Sequence, residues 1–213
     1  MVDTVKRPYR SELRAAQAAE TRRAVVDAAA RLFVEHGYRA TTIDAVAATA
    51  GVSRKTVFSS VGGKVDLLKL AVDWAVAGDD QPVGLADRDP ITRLFDHDDP
   101  VRLLRGWARL LADIDVRTTR LFRAVEIAAD EDPDAARLLA ELHRQRLDGA
   151  RRVVKHLRER NALTAHRRPG DAIDVAWLAT DPVLFDRLVR ERGWTVRRFA
   201  DWLGETLVRE LLG

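Results

Sequence analysis

Apolar positions recur along most of the chain at the spacing of a helix. Val25, Ala28, Ala29, Leu32 and Phe33 fall at i, i+3, i+4, i+7 and i+8, predicting a first helix over 11–36 that Gly37 ends. Thr42 stands ahead of Ile43, Val46 and Ala47 as the cap of a brief second helix, with Asp44 in its first turn, where the helix dipole favours negative charge. Gly51 makes a corner, and Ser53 caps a third helix with Val52 and Val57 turned inward and Arg54, Lys55, Thr56 and Ser59 turned out. A fourth amphipathic stretch runs over 64–77 through Val65, Leu68, Ala71, Val72 and Ala75, with Trp74 read as core. The segment 78–100 is dense in Asp, Gly and Pro and holds only a short helical candidate at 91–95.

Beyond it, 101–161 is helical on both sides of a boundary at Asp132-Pro133. A further stretch over 171–192 carries Ala172, Ala176, Ala179, Val183 and Leu188 and bends or restarts at Asp181-Pro182. Thr195 then caps 196–212, striped by Phe199, Leu203, Leu207 and Leu211. The pattern predicts an all-α chain.

The second and third helices have the layout of a helix-turn-helix. Small Ala47, the Gly51 corner and Val57 let two helices cross closely, which leaves the outer face of the third free for a major groove. There Arg54 and Lys55 can donate to guanine edges, and hydroxyls such as Thr42, Ser53, Thr56 and Ser59 can meet phosphates or bases. The same spacing also suits a packed corner of an all-α domain. Charge favours the DNA reading. Residues 1–64 hold eleven Lys or Arg against six Asp or Glu, a net +5, leaving −2 for the rest of a chain whose net charge is +3. Residues 1–10 read as a flexible basic arm in which Pro8 breaks any helix and Lys6, Arg7 and Arg10 are exposed, either to follow phosphates or a minor groove or as a merely disordered end.

The stretch 21–68 resembles the N-terminal domain of the tetracycline-repressor (TetR) family of transcriptional regulators. The likeness rests on Leu32-Phe33, Gly37-Tyr38, Ala40-Thr41-Thr42, Ala50-Gly51-Val52-Ser53, Thr56-Val57-Phe58 and Lys64 before Leu67-Leu68. Phe58 lacks the phenolic hydroxyl that a Tyr would bring, Val61 replaces a common Phe, and Gly62-Gly63 replaces a residue pair that usually helps to cap the next helix. A looser start to the fourth helix is therefore expected.

The resemblance implies a three-helix helix-turn-helix domain over 1–63 and a helical-bundle effector-binding and dimerisation domain over 64–213. The helix over 64–77 would transmit ligand binding to the reading heads. It implies a homodimeric repressor on a palindromic operator of double-stranded DNA, released by a small-molecule effector. The alternative is a helical ligand-binding or dimerisation protein with weak or no specific DNA binding. Candidate DNA contacts are Arg10, Thr42, Ser53, Arg54, Lys55, Thr56, Phe58, Ser59 and Lys64. In the family the last two long helices pair with a second subunit's, and Glu191-Arg192-Gly193-Trp194 through Trp202 looks like that C-terminal pattern, which puts Ala176, Val183, Phe199, Leu203 and Leu207 at a dimer interface.

The carrier part suggests a cavity. Trp107, Leu111 and Phe122 would form its walls, with Glu126, His143 and Arg146 as orienting polar groups. Alternatively these charges pair with one another on an otherwise apolar face.

Composition narrows the remainder. The 213 residues are 46% hydrophobic, enough for a core, and contain no cysteine, which excludes a disulfide framework, a thiolate nucleophile and a Cys-based zinc site. With no apolar run of membrane length and no signal-like N-terminus, a cytoplasmic protein without membrane contact is expected. His36, His97, His143, His156 and His166 form no metal-binding pair, and no phosphate loop or nucleophile elbow occurs. Neither enzyme activity nor a cofactor or metal is expected, and Asp96, His97, Asp98 and Asp99 read as a solvated loop.

Overall fold

The computed structural model describes residues 6–81, 85, 88–96, 98–166 and 168–213, with side chains from residue 13 onward. Among them are ten α-helices and no strand. α1 (Lys6–Ala40), α2 (Ile43–Ala50) and α3 (Arg54–Ser60) make the head; α4 (Lys64–Ala77) leads out of it. α5 (Asp89–Phe95), α6 (Pro100–Ala129), α7 (Pro133–Glu159), α8 (Pro169–Ala179), α9 (Pro182–Phe185) and α10 (Val196–Leu211) make the body. No described helix is long and apolar enough to cross a membrane.

Local chemistry sets most helix starts. Asp99-Pro100, Asp132-Pro133 and Asp181-Pro182 each put a carboxylate where it accepts the free N–H groups of the first turn, and a proline where no N–H is needed. The expected bend at Asp181-Pro182 is a restart: α8 stops at Ala179, and α9 runs on as a π-helical stretch, Asp186–Glu191. The expected basic arm is helical from Lys6, with Pro8 in the first turn, where its missing N–H leaves no bond unmade. The Arg10 side chain lies outside the described residues, as does His97. Gly37 breaks α1 where expected, at φ 77° and ψ 174°, and Thr41 Oγ1 donates to its carbonyl at 2.8 Å.

Two apolar clusters hold the molecule; the first crosses the 63/64 boundary and the second lies within 64–213. The first joins Val25, Phe33, Val46 and Val57 of the head to Leu67 and Leu68 of α4, Leu121 and Val125 of α6, and Leu138 and Leu142 of α7. The second joins the N-terminal half of α6, through Leu103, Leu104 and Trp107, to Val153 and Leu157 of α7 and to α8–α10. α6 thus belongs to both.

This packing alters the expected dimer contacts. Ala176, Phe199, Leu203 and Leu207 are at most 2% exposed within one chain, because α10 lays its apolar stripe against α6 and α8 packs on α7 and α10. They are core, and a second subunit cannot reach them. Of the five only Val183 is exposed, together with Leu178 and Trp202, which lie outside that set.

Candidate nucleic-acid interface and ligand cavity

The corner of the head forms by capping at both ends. Thr42 Oγ1 accepts from Ala45 N at 3.1 Å to start α2, and Gly51, at φ 68°, ends it in the left-handed conformation that a side chain disfavours. Val52 N then reaches back to Ala47 O at 3.0 Å. Ser53 Oγ accepts from Thr56 N at 3.0 Å to start α3, and Val57, fully buried, pins that helix from beneath.

The outer residues of α3 divide by face. Arg54, Lys55 and Phe58 are exposed, at i, i+1 and i+4. The Arg54 guanidinium bonds Asp44 Oδ2 on α2 at 2.9 Å and lies over the Phe58 ring at 5.7 Å, so its direction is set from both helices. Lys55 makes no ion pair among the described residues. Thr56 is half-buried and Ser59 exposed, and both border the cavity described below, where it passes between α1 and α3. Lys64 is engaged. Its ammonium sits 3.9 Å from the centre of the Tyr38 ring and 3.5 Å from Arg39 O, where partial burial lowers its pKa.

The junction into α4 is ordered in a way its glycines do not suggest. Gly63 has no side chain to cap with, but the reverse half of a capping box is present: Asp66 Oδ2 accepts from Gly63 N at 2.8 Å. Gly62, at φ 126°, passes so close to that carboxylate that a Cβ would collide with it. The expected looseness is therefore replaced by a glycine-dependent lock.

A cavity of about 1440 Å³ lies along the seam between the two apolar clusters and extends beneath α3. Trp107, Leu111, Phe122 and Arg146 line it; so do Trp74, expected to be core, and Asp115, Thr118 and Leu142. Glu126 and His143 do not. Glu126 pairs with Arg123 on α6, and His143 turns its ring edge-on to Trp177 at 6.5 Å. Arg146 stands at the wall but pairs with neither Glu126 nor His143: it lies 3.3 Å from Asp181 Oδ2, bonds Thr180 Oγ1 at 3.2 Å, and sits near the rings of Phe122 and Trp177.

Asp115 was not singled out by the sequence reading, although Trp107, Leu111, Asp115, Thr118 and Phe122 follow one helical face at i, i+4, i+8, i+11 and i+15. An acid in the middle of an apolar helical stripe was the available signal. The group is 5% exposed, its Oδ2 has no hydrogen-bond partner, and burial pushes its pKa up to about 8, against the pull of Arg146. No cluster of potential metal ligands occurs among the described residues, and Asp98 instead faces Arg160 at 3.5 Å.

Residues 25–71 match the N-terminal domain model of the bacterial regulatory proteins of the tetR family. Over 55 residues the chain is 42% identical to the HTH-type transcriptional regulator SrpR of Pseudomonas putida, a match covering 26% of each protein. The chain therefore aligns with about a quarter of that relative's length. Across the whole fold it is similar to a TetR-family transcriptional regulator from Rhodococcus sp., with TM-score 0.68, 14% identity and coverage of 92% of this chain and 100% of that one. It is similar also to NalD, the secondary repressor of the MexAB-OprM multidrug efflux pump in Pseudomonas aeruginosa, with TM-score 0.63, 20% identity and coverage of 92% and 98%. Residues 25–71 thus carry an N-terminal domain of the kind found in the bacterial regulatory proteins of the tetR family, and the described chain takes the all-α fold of solved TetR-family regulators.

Proposed function

We propose that this protein is a sequence-specific DNA-binding regulator, a homodimer that represses from a palindromic operator and leaves it when a small molecule fills the cavity. The observation that carries the reading is continuity: one cavity is bordered by Trp107, Phe122 and Arg146 in the body and by Thr56, Ser59 and Ser60 of the reading helix. A ligand there meets both parts. It shifts the head by as much as its affinities for the bound and released shapes differ, typically about 1–3 kcal/mol.

In this reading Arg54, Lys55 and Phe58 face the major groove, with Thr42 and Ser53 near the backbone at the helix starts. Thr56 and Ser59 join them from the cavity side, while Lys64 holds the head through Tyr38. The dimer uses the outer surface of α8–α10, where Leu178, Val183 and Trp202 are exposed. Two heads on a two-fold axis add their contacts and select paired half-sites. Repression agrees with the role named for NalD. A protein that reads genomic duplex works in the cytoplasm.

The test is equilibrium binding to duplexes from the flanks of its own gene and to shuffled controls, across a salt series, with Lys55→Ala alongside. Preference for one duplex, weakened roughly 10- to 100-fold by the substitution, is expected. Equal affinity for all duplexes, or none at low salt, would reject the regulator and leave a helical ligand-binding protein.

A further inference from the structure

We infer that the cavity takes an organic cation with a bulky apolar body, and that Asp115 is the group that meets its charge. The inference rests on the cavity being an effector site and names what chemistry enters it.

Five aspartates line the cavity against three arginines, Arg22, Arg146 and Arg152. Four of those aspartates already have cations. Asp73 pairs with Lys69, Asp79 with Arg88, Asp80 with Arg23 and Asp148 with Arg151. Asp115 has no cation within ion-pair distance among the described residues. It is also the deepest of the five, with an oxygen that neither solvent nor a donor satisfies. Buried polar atoms in folded proteins are nearly always hydrogen-bonded, so an orphan on a residue that lines a cavity marks a place where a ligand completes the structure.

The walls suit the same occupant. Trp74, Trp107 and Phe122 bring aromatic rings to the wall, which attract positive charge, and Leu111, Ile114 and Leu142 bring apolar area for a bulky body. Of the three arginines in the lining, Arg146 is the one beside Asp115, where an anion would have to bind. The Nη2 of that guanidinium is buried without a hydrogen-bond partner, but it stands 3.3 Å from Asp181 Oδ2, so its charge is already paired, while Nε bonds Thr180 and two aromatic rings flank the group.

Proton exchange gives the inference a signature. In the empty cavity Asp115 holds its proton to about pH 8. The charges acting on it are Arg146 of α7, which favours the carboxylate, and Asp181 ahead of α9, which opposes it. Around them stand Arg22 of α1, Asp73 and Lys69 of α4, Asp79 and Asp80 beyond α4, and Asp148 and Arg152 of α7. A cation selects the ionised form, so binding at pH 7 releases nearly one proton to solvent. Affinity therefore climbs by up to about tenfold per pH unit from pH 6 to pH 8 and then levels off.

The experiment uses the full-length protein with tetraphenylphosphonium and its near-isosteric anion tetraphenylborate, by calorimetry in buffers of different ionisation heat from pH 6 to pH 9. Tetraphenylphosphonium is expected to bind at least about tenfold more tightly than tetraphenylborate and to release a proton at pH 7. Asp115→Asn is expected to lose both that preference and the pH dependence while keeping wild-type helicity. The wild-type proton count needs no variant, so it stands even if the substituted chain misfolds. Stronger binding of the anion, binding of neither ion, or a cation affinity indifferent to pH and to Asp115→Asn would overturn the inference. A cation bound through Asp115 that leaves the protein–duplex complex intact would uphold the cavity chemistry and reject the effector role proposed above.

Discussion

The Tyr38 hydroxyl donates to Asp132 Oδ2 at 2.7 Å, fastening the end of α1 to the turn between α6 and α7. The contact closes one end of a lever. Asp132 caps α7 through its other oxygen, Oδ1, which accepts from Asp134 N at 2.9 Å, while Arg39 pairs with Glu131 next door and Lys64 lies on the Tyr38 ring. Burial and then the bond to Asp132 push the Tyr38 pKa far up, so the hydroxyl keeps its proton throughout the working range. Tyr38→Phe keeps the ring under Lys64 and removes only the bond. A neutral donor to a carboxylate is worth roughly 1.5–3 kcal/mol, less at this half-buried position, so the melting temperature is expected to fall by a few degrees. The sharper readout is coupling: the ratio of duplex affinities without and with effector is expected to shrink. An unchanged ratio would show that the lever runs through α4 alone.

Gly62 and Gly63 look interchangeable and are expected to behave oppositely. At Gly62 an added methyl meets both an unfavourable φ of 126° and the Asp66 carboxylate, so Gly62→Ala strains the backbone and displaces the acceptor of the first α4 bond. A loss of roughly 2–3 kcal/mol is expected, read as a lower urea midpoint at constant slope. At Gly63 a Cβ stands 3.6 Å from the same oxygen, ordinary contact. Gly63→Ser supplies the absent hydroxyl cap and is expected to gain a few tenths of a kcal/mol.

These cases show what periodicity conveys and where it stops. Helix positions were legible because caps and breaks are local: Thr42, Ser53, Thr195 and the Asp-Pro steps decide their turns through bonds to residues two or three positions away. The reading helix was legible for the same reason. The division of a helix face among several neighbours is not local. Phe199, Leu203 and Leu207 form a stripe that suits a partner subunit as well as α6, and only the fold assigns it inward. Asp115 stayed hidden because its burial depends on α7 and the α8–α9 link closing over it. Lys64 was read as free because the Tyr38 ring that receives it lies 26 positions away.

The exposed side of α8–α10 separates interface from core by substitution. Leu178 is 57% exposed and Trp202 37%, whereas Phe199 is fully buried against Phe185. If the outer surface joins two chains, Leu178→Glu and Trp202→Glu are expected to halve the mass seen by light scattering, with helicity intact. Phe199→Ala is expected instead to cost roughly 3–5 kcal/mol by opening a cavity, lowering the melting temperature whatever the oligomeric state. Dimers that survive both glutamates would move the interface elsewhere, and a wild-type monomer would reject the homodimer.

Asp115 also makes stability depend on pH in a defined direction. Its pKa of about 8 in the folded chain stands above its ordinary value of 3.8, so between those limits the folded state holds a proton that the unfolded state has lost. Stability from this group is greatest at acid pH and falls as pH rises from about 4 to about 8, by at most about 6 kcal/mol. Asp115→Asn removes the ionisation. At pH 8.5 the variant is expected to melt above wild type, because it no longer buries a charge. At pH 4.5 the two should melt together, or the variant slightly lower, since a buried amide also lacks a partner. Asp73 shifts in the same sense through burial, but it is common to both proteins and cancels in their difference. Melting curves of the pair from pH 4 to pH 9 check this. A constant gap would mean that Asp115 is ionised throughout in the folded chain and already has a cation beside it.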